Sequence, residues 1–390
     1  MNLSDELKAF IITHEADDVH SLALQAKQYP DIDMEMAIRQ ITGRKIAKEK
    51  IPSWYANDNI IYPKHLSMEQ CSSEQTALFK ASLCGGESMA DLTGGLGVDC
   101  FFLAHGFNNA VYVEQQLELA EIAVHNFKIL GQDIKVVNED AVSYLSSMPP
   151  VNLIYVDPAR RDSTGRKTVL IEDCTPNILD MESLLEEKSK QVMIKLSPML
   201  DITLAVKSVK SVSDVYIISA NNECKELLFI KKGNTGKTLY HCVNIQNSNT
   251  DTYTFYKEDE DTISLNYTTK IAKYLYEPNA SILKAGAYKS IAKAYSLDKL
   301  HPSSHLYTSE ILYEDFPGRK FVVDNICSLN KKDMKEYLSD IEQANITTRN
   351  FPLSVQEIRK KTGLKDGGDI YIFATTLADD RKVLLICHKV

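Results

Sequence analysis

The stretch DVYIISANNECKELLFIKK, residues 214–232, decides how this chain folds. Its two apolar runs, 214–219 and 227–231, are separated by about seven residues, too few for the helical crossover that parallel strands need. They must therefore pair antiparallel. Toward the N-terminus the runs SMADLT, AVYVE, IKVVNED, NLIYVDP and QVMIKLSP are each short, apolar and rich in β-branched residues, as strands buried on both faces are. Between the first three lie the helical stretches VDCFFLAHGF and QLELAEIAVHNFKILG, the second with Leu117, Ala120, Val124 and Phe127 along one expected apolar face. Alternating strands and helices followed by a hairpin predict an α/β, Rossmann-like sheet of seven strands whose last strand is reversed.

Residues 1–75 precede this block and read as helices broken at Pro30 and Pro52, with a further short helix at 73–83 capped by Ser72 or Ser73. The sheet domain is expected at 76–234, a connecting α+β module at 235–315 and a second small α+β domain at 316–390. In the connecting module LYHCVNIQ and TYTFYKEDEDTISLNY read as strands and PNASILKAGAYKSIAKAYSL as one helix. The last block reads strand, helix, strand, helix, strand pair, an order of ferredoxin-like flavour.

Composition narrows the class. With 44% apolar and 25% charged residues the 390-residue chain has the make-up of a folded protein large enough for several cores. No window approaches the roughly 18 unbroken apolar residues of a membrane span. The N-terminal MNLSDELKAFIITHEADD carries acids where a secretion signal needs basic residues, so a cytoplasmic protein is expected. Cysteines stand at 71, 84, 100, 174, 224, 242, 327 and 387 with no CxxC pair, which argues against a zinc site and a disulfide framework. A net charge of −9 excludes a uniformly basic surface but leaves room for local basic patches.

The chemistry-bearing residues gather at strand ends, where ligands of an open α/β sheet bind. In DLTGGLGVD, Asp91 and Thr93 close the first strand while Gly94, Gly95 and Gly97 turn into the next helix. A dinucleotide fingerprint needs a third glycine where Cys100 stands, and a phosphate-binding P-loop needs a Lys-Ser/Thr pair that is absent. S-adenosylmethionine or a purely structural turn remains. Glu114, closing VYVEQ, can accept hydrogen bonds from two ribose hydroxyls. Asp140 and Ala141 in NEDA stand where an adenine edge would lie, although Asp140 can equally cap the following helix. The fourth strand ends in YVDPARRD: Asp157 points at the crevice, Pro158 turns the chain sharply away, and Arg160 and Arg161 are candidate substrate contacts.

The motifs DLTGGLGVD, VYVEQ, NEDA and DPARR, with the C-terminal RNFPLSVQEIRKKTGLKDGGDIYIFATTLADDRKVLLICHKV, resemble bacterial class I S-adenosylmethionine-dependent methyltransferases that carry a THUMP-like C-terminal domain. The resemblance covers about residues 60–390 and is most specific in the final segment. It implies S-adenosylmethionine as cofactor and RNA, transfer or ribosomal, as substrate. Residues 331–390 hold 11 Lys and Arg against 9 Asp and Glu, a relative basic enrichment in an acidic chain.

Two acceptor atoms stay open. Asp157-Pro158 is similar to the motif of enzymes that methylate exocyclic amines, although Ala159 and Arg160 stand where those enzymes keep an aromatic residue; DLTGGLGVD also resembles the loop of an enzyme making N2-methylguanosine in ribosomal RNA. Lys80, Asp157, Lys195 and Glu226 resemble instead the Lys-Asp-Lys-Glu set of ribose 2′-O-methyltransferases, in which a lysine of lowered pKa helps to deprotonate the hydroxyl. No cysteine follows Asp157-Pro158 or Lys195 as a carbon-5 methyltransferase requires. Rivals of other classes are a nicotinamide oxidoreductase and a noncatalytic RNA-binding protein with a vestigial cofactor pocket.

Overall fold

The computed structural model describes residues 3–159, 171–233, 236–246 and 249–390. They divide into two units, Met1–Val215 with Lys225–Lys237, and Tyr216–Cys224 with Thr238–Val390. None of the helices among the described residues is long and apolar enough to cross a membrane.

The first unit begins with helices α1 (Asp5–Thr13), α2 (Val19–Leu24), α3 (Met34–Lys50), α4 (Pro52–Tyr55), α5 (His65–Gln70) and α6 (Glu74–Ala81). Ser4, Asp18, Asp33 and Ser73 each accept a backbone N–H at a helix start, satisfying amides that would otherwise lack partners. Leu7, Phe10, Ile11, Leu22, Ala37 and Ile41 form the core of this helical layer.

The sheet follows: β1 (Gly86–Asp91), α7 (Val98–Ala104), β2 (Phe107–Val113), α8 (Leu117–Ile129), β3 (Ile134–Val137), α9 (Ala141–Ser147), β4 (Val151–Val156), α10 (Ile178–Lys188), β5 (Ser189–Leu196), α11 (Ile202–Ser208), β6 (Asp214–Ala220) and β7 (Glu223–Lys231). The order β3-β2-β1-β4-β5-β7 places the reversed strand directly beside β5. The pairs β1–β2, β2–β3, β1–β4 and β4–β5 are parallel, and β5–β7 is antiparallel. The expected seven-residue gap shrinks to two. Asn221 and Asn222, at φ 51 and 61, make the turn, as the tight hairpins that suit strand twist require.

One expected face is corrected. Ala120 and Phe127 are buried as expected, but Leu117 and Val124 are 60% and 55% exposed, and Leu119, Ile122, Ala123 and Asn126 complete the buried face of α8. Two apolar stripes run along this helix, and the polar Asn126 disguised the inner one. Its amide is used up on the backbone of Ile61, accepting from the N–H and donating to the carbonyl, both at 2.9 Å.

The second unit, which includes Tyr216–Cys224 of the β6–β7 hairpin, continues with the antiparallel pair β8 (Leu239–Gln246) and β9 (Asn249–Tyr256). Here the strand expected through residue 267 gives way to α12 (Lys257–Thr262), because Glu260 accepts the backbone N–H groups of Lys289 and Ser290. The single helix expected over 278–297 is two, α13 (Ala280–Ala285) and α14 (Tyr288–Ala294), broken where Gly286 takes φ 71. The remaining elements are β10 (Tyr274–Pro278), β11 (Asp298–Lys299), β12 (Tyr307–Ser309), β13 (Gly318–Cys327), α15 (Lys331–Leu338), β14 (Asn345–Arg349), α16 (Val355–Thr362), β15 (Ile370–Thr376) and β16 (Lys382–Lys389). Strands β10 to β16 form one sheet, order β11-β12-β10-β13-β16-β15-β14, so the residues on either side of position 316 share a sheet and a core around Leu275, Phe321, Phe373 and Leu385. On that sheet Glu277, almost wholly buried, is held by the guanidiniums of Arg319 and Arg349.

Candidate active site

The glycine loop is built by what surrounds it. A Cβ on Gly94 would lie 2.1 Å from the Tyr112 ring, and Gly97, at φ 88, would meet Phe127 at 2.8 Å, so both glycines are required by packing. Gly95 differs: it takes φ 55, and a Cβ there would meet only the Thr93 carbonyl at 3.9 Å. Its N–H donates to Glu114 Oε2 at 2.9 Å, and its carbonyl accepts from the Tyr112 hydroxyl. Glu114 is buried; its Oε1 accepts from the Gln116 N–H at 2.8 Å, and each oxygen keeps further acceptor capacity. Thr93 joins the loop to the fourth strand, its hydroxyl accepting from the Asp157 N–H at 2.6 Å while its own N–H donates to Asp91 Oδ1 at 3.0 Å. Asp91 is 1% exposed, and its Oδ2 has no hydrogen-bond partner. Burial, with the charges of Asp99, Asp157 and Glu114 adding to it against the Thr93 N–H, pushes the Asp91 carboxyl well above the usual range. Asp140 is exposed and caps α9 through Val142 and Ser143, while Ala141 behind it is buried.

Beyond the loop lies a buried ionic core that brings together the four residues Lys80, Asp157, Lys195 and Glu226 around a fifth, Asp99. The Lys80 ammonium is 2.7 Å from Glu226 Oε1 and 2.9 Å from Asp99 Oδ1. Lys195 Nζ is 2.5 Å from Asp157 Oδ2 and 3.4 Å from Asp99 Oδ2. Ser72 links the two lysines: its Oγ accepts from each at 3.0 Å and donates to Asp99 Oδ2 at 2.6 Å, while the Tyr155 hydroxyl donates to the same oxygen at 2.7 Å. Side-chain exposure separates the members: 34% for Asp157, 10% for Lys195, 9% for Asp99, 6% for Glu226 and 0% for Lys80. Only Asp157 offers a substantial face to a substrate.

The protonation states follow from this geometry. Burial lowers the Lys195 ammonium, but Asp157, Asp99 and Glu226 outweigh it and hold the group well above the usual lysine value. Burial raises Asp99, but Lys80 and Lys195, helped by the hydroxyls of Ser72 and Tyr155, hold it below the usual carboxylate range. The three carboxylates around Lys195 thus favour its charged form, the opposite of the lowered lysine pKa that the ribose reading calls for. Pro158 is buried, and Ala159 leaves the site paired with Thr175 through two backbone hydrogen bonds, at 2.7 and 3.0 Å. Arg160 and Arg161 lie outside the described residues.

Asp99 and Tyr155 are absent from the sequence reading, and Ser72 stands there only as a candidate helix cap, a place that Ser73 takes. One signal was present: Asp99 sits in VDCFFLA, a helix whose every residue is buried, and a lone carboxylate in such a helix demands charged partners.

Residues 274–317 match a ferredoxin-like domain and residues 318–389 a THUMP domain-like family. No curated protein matches the chain. Among solved structures, a protein of Porphyromonas gingivalis W83 assigned as a methyltransferase is similar at 33% identity over 100% of both chains, with a TM-score of 0.88. A Listeria monocytogenes protein assigned as a class I S-adenosylmethionine-dependent methyltransferase matches 62% of this chain and 94% of its own at 10% identity, TM-score 0.39. An rRNA methylase of Streptococcus thermophilus matches 42% and 95% at 12% identity, TM-score 0.30. Sheet order, reversed strand and C-terminal domains define a class I methyltransferase fold of the S-adenosylmethionine-binding type with a THUMP-like domain, and the protein is an S-adenosylmethionine-dependent methyltransferase. Within that class the chain belongs to the family of the Porphyromonas gingivalis methyltransferase.

Proposed function

We propose that the enzyme methylates an exocyclic amino nitrogen of a base in transfer or ribosomal RNA, with Asp157 and the Pro158 carbonyl as acceptors for the amine protons. The observation that carries this reading is the placement of Asp157: its Oδ2 lies 2.5 Å from the Lys195 ammonium, and it is the only member of the ionic core with a broad solvent face. Lys195 grips Oδ2 and the Thr93 hydroxyl grips the backbone N–H, leaving Oδ1 to receive a hydrogen bond from an amine. The carboxylate charge then favours the positive charge that develops on nitrogen during transfer, and it takes the proton released afterwards. RNA as the substrate rests on the THUMP-like domain and on the exposed Lys360, Lys361 and Lys365 at and beyond the end of α16.

The residues of the loop suit S-adenosylmethionine. Gly95 leaves the backbone open to close approach, Glu114 keeps acceptor capacity for ribose hydroxyls, and Asp91 holds an unpartnered buried oxygen. Thr93, Gly94 and Gly97 shape that loop, while Asp140 and Ala141 border the adenine position. When bound, the cofactor supplies an electrophilic methyl carbon on a sulfonium; this chain's part is alignment and charge.

A second reading, transfer to a ribose 2′-hydroxyl, is favoured by the direct linkage of Lys80, Asp157, Lys195 and Glu226. It must do without a lowered pKa at Lys195 and without contact from the fully buried Lys80. One experiment separates the two. The full-length protein is incubated with methyl-labelled cofactor and total RNA from cells lacking it, and the RNA is digested to nucleosides for mass spectrometry. Label on a base amino group is expected, and label on ribose selects the second reading. No label in RNA rejects both.

A further inference from the structure

We propose that Arg319 and Arg349 form a binding site for a backbone phosphate of the RNA on the second unit, with the buried carboxylate of Glu277 holding both guanidiniums in place. The inference rests on RNA as the substrate, and it concerns docking, not the transfer step. The site is assembled from three strands of one sheet. Glu277 on β10 stands directly opposite Arg319 on β13 in their antiparallel pairing, and Arg349 is the last residue of β14. On a flat sheet the four steps of the order β10-β13-β16-β15-β14 would cover roughly 19 Å, so the sheet curls to bring both arginines onto one carboxylate. The segment that matches the ferredoxin-like domain supplies Glu277 and the THUMP-like segment supplies both arginines, so neither holds the site alone.

Glu277 divides its two oxygens between the arginines. Its Oε2 accepts from Arg319 Nε at 2.7 Å and from Arg319 Nη2, while its Oε1 accepts from Arg349 Nε at 3.0 Å and lies 2.8 Å from Arg349 Nη2. Each guanidinium thus spends one edge on the carboxylate and keeps donors on the other. Arg319 Nη1 has no acceptor among the described residues, and Arg349 Nη1 has only the Thr348 carbonyl at 3.3 Å. Arg319 also lies over the rings of Phe321 and Phe373, 5.5 and 5.7 Å from their centroids, which helps to fix its plane. Glu277 is closed to solvent, yet both arginine side chains are 35% exposed. Two oriented, solvent-facing guanidiniums with unused N–H groups suit the paired non-bridging oxygens of a phosphate, and because they are already held, binding has little left to order. Arg359 on α16 shows the contrast: its Nη groups are spent on the Leu364 and Ala344 carbonyls and on Asp366. A phosphate contact carries no base identity, so this site sets where the RNA lies and not which sequence is chosen.

The test uses the full-length protein and its Arg319→Gln and Arg349→Gln variants. Affinity for mixed transfer and ribosomal RNA is measured over a series of salt concentrations, and affinity for S-adenosylhomocysteine by calorimetry. Each variant is expected to weaken RNA binding about 5-fold or more and to reduce the slope of log affinity against log salt by about one, with S-adenosylhomocysteine affinity held within about 2-fold. RNA affinity and slope unchanged in both folded variants overturn the proposal and leave RNA standing as the substrate. Failure of the parent protein to bind RNA at all rejects the RNA reading and the proposal together. Should the variants not fold, the parent protein decides. Phenylglyoxal, which modifies accessible guanidiniums, is expected to label Arg319 and Arg349, and RNA is expected to shield both more than it shields the exposed Arg381, as read by mass spectrometry. Labelling of Arg319 and Arg349 that RNA leaves unchanged overturns the proposal. Shielding by inorganic phosphate but not by RNA assigns the site to a free phosphate and overturns the RNA assignment.

Discussion

Replacing Lys80 with methionine keeps an unbranched side chain of similar bulk and deletes one ammonium from the ionic core. That ammonium is fully buried and touches Glu226, Asp99 and Ser72 at 2.7, 2.9 and 3.0 Å. Without it, Asp99, Glu226 and Asp157 share the single ammonium of Lys195. Removing one partner of a buried ion pair costs about 3–5 kcal/mol, because the other charge stays buried and unpaired. For a unit of 150–250 residues this corresponds to a fall in melting temperature of roughly 6–20 °C. Trp54, the one tryptophan of the chain, is fully buried in the first unit, so its fluorescence follows that unit's unfolding. Adding Glu226→Gln removes the charge left stranded and should bring the loss below about 2 kcal/mol. Acid sharpens the test. The Asp99 carboxyl is held below its ordinary value of 3.8, so it adds stability above that pH that fades as pH falls toward the folded-state value. Lys80→Met weakens that depression, and its acid-unfolding midpoint should move to higher pH. A melting shift below about 2 °C, or equal loss in the single and double variants, would show that the core does not depend on this pairing.

Two further predictions follow from packing. Gly94→Ala drives a methyl group to within 2.1 Å of the Tyr112 ring and should melt several degrees lower, whereas Gly95→Ala meets open space, costs about 1–2 kcal/mol for its φ of 55, and should weaken S-adenosylhomocysteine binding more than it weakens the fold; calorimetry and the Trp54 melt compared side by side check both. In the second unit, Glu277→Gln strands Arg319 and Arg349, each about one-third exposed, and should destabilise that unit by about 2–3 kcal/mol after allowance for solvent screening. Hydrogen exchange should report faster opening of β10 and β13 while the Trp54 transition stays in place.

Much of the site was legible because strand ends are legible. Apolar runs ending in Asp91, Glu114, Asp157 and Lys195 place those side chains at one edge of a parallel sheet, whatever the details of packing. The gap between 219 and 227 likewise left antiparallel pairing as the one geometry, so the reversed strand was fixed by chain length alone. Local sequence could not decide which face of α8 turns inward, since both stripes are apolar and the choice falls to Asn126, whose partner Ile61 lies 65 residues away. Nor could it separate Gly94 and Gly97, required by Tyr112 and Phe127, from Gly95, which faces open space.

The sequence by itself determined the parallel strands and the reversed strand beside them, because each follows from short-range spacing. Only the tertiary structure decided the chemistry of the ionic core. Lys80, Asp99, Lys195 and Glu226 come from four separate elements, and a lysine's charge state depends on which carboxylates the fold brings within a few ångströms of it. Folding surrounded Lys195 with carboxylates that favour its charged form and buried Lys80 fully, and it left Asp157 as the most exposed member of the ionic core.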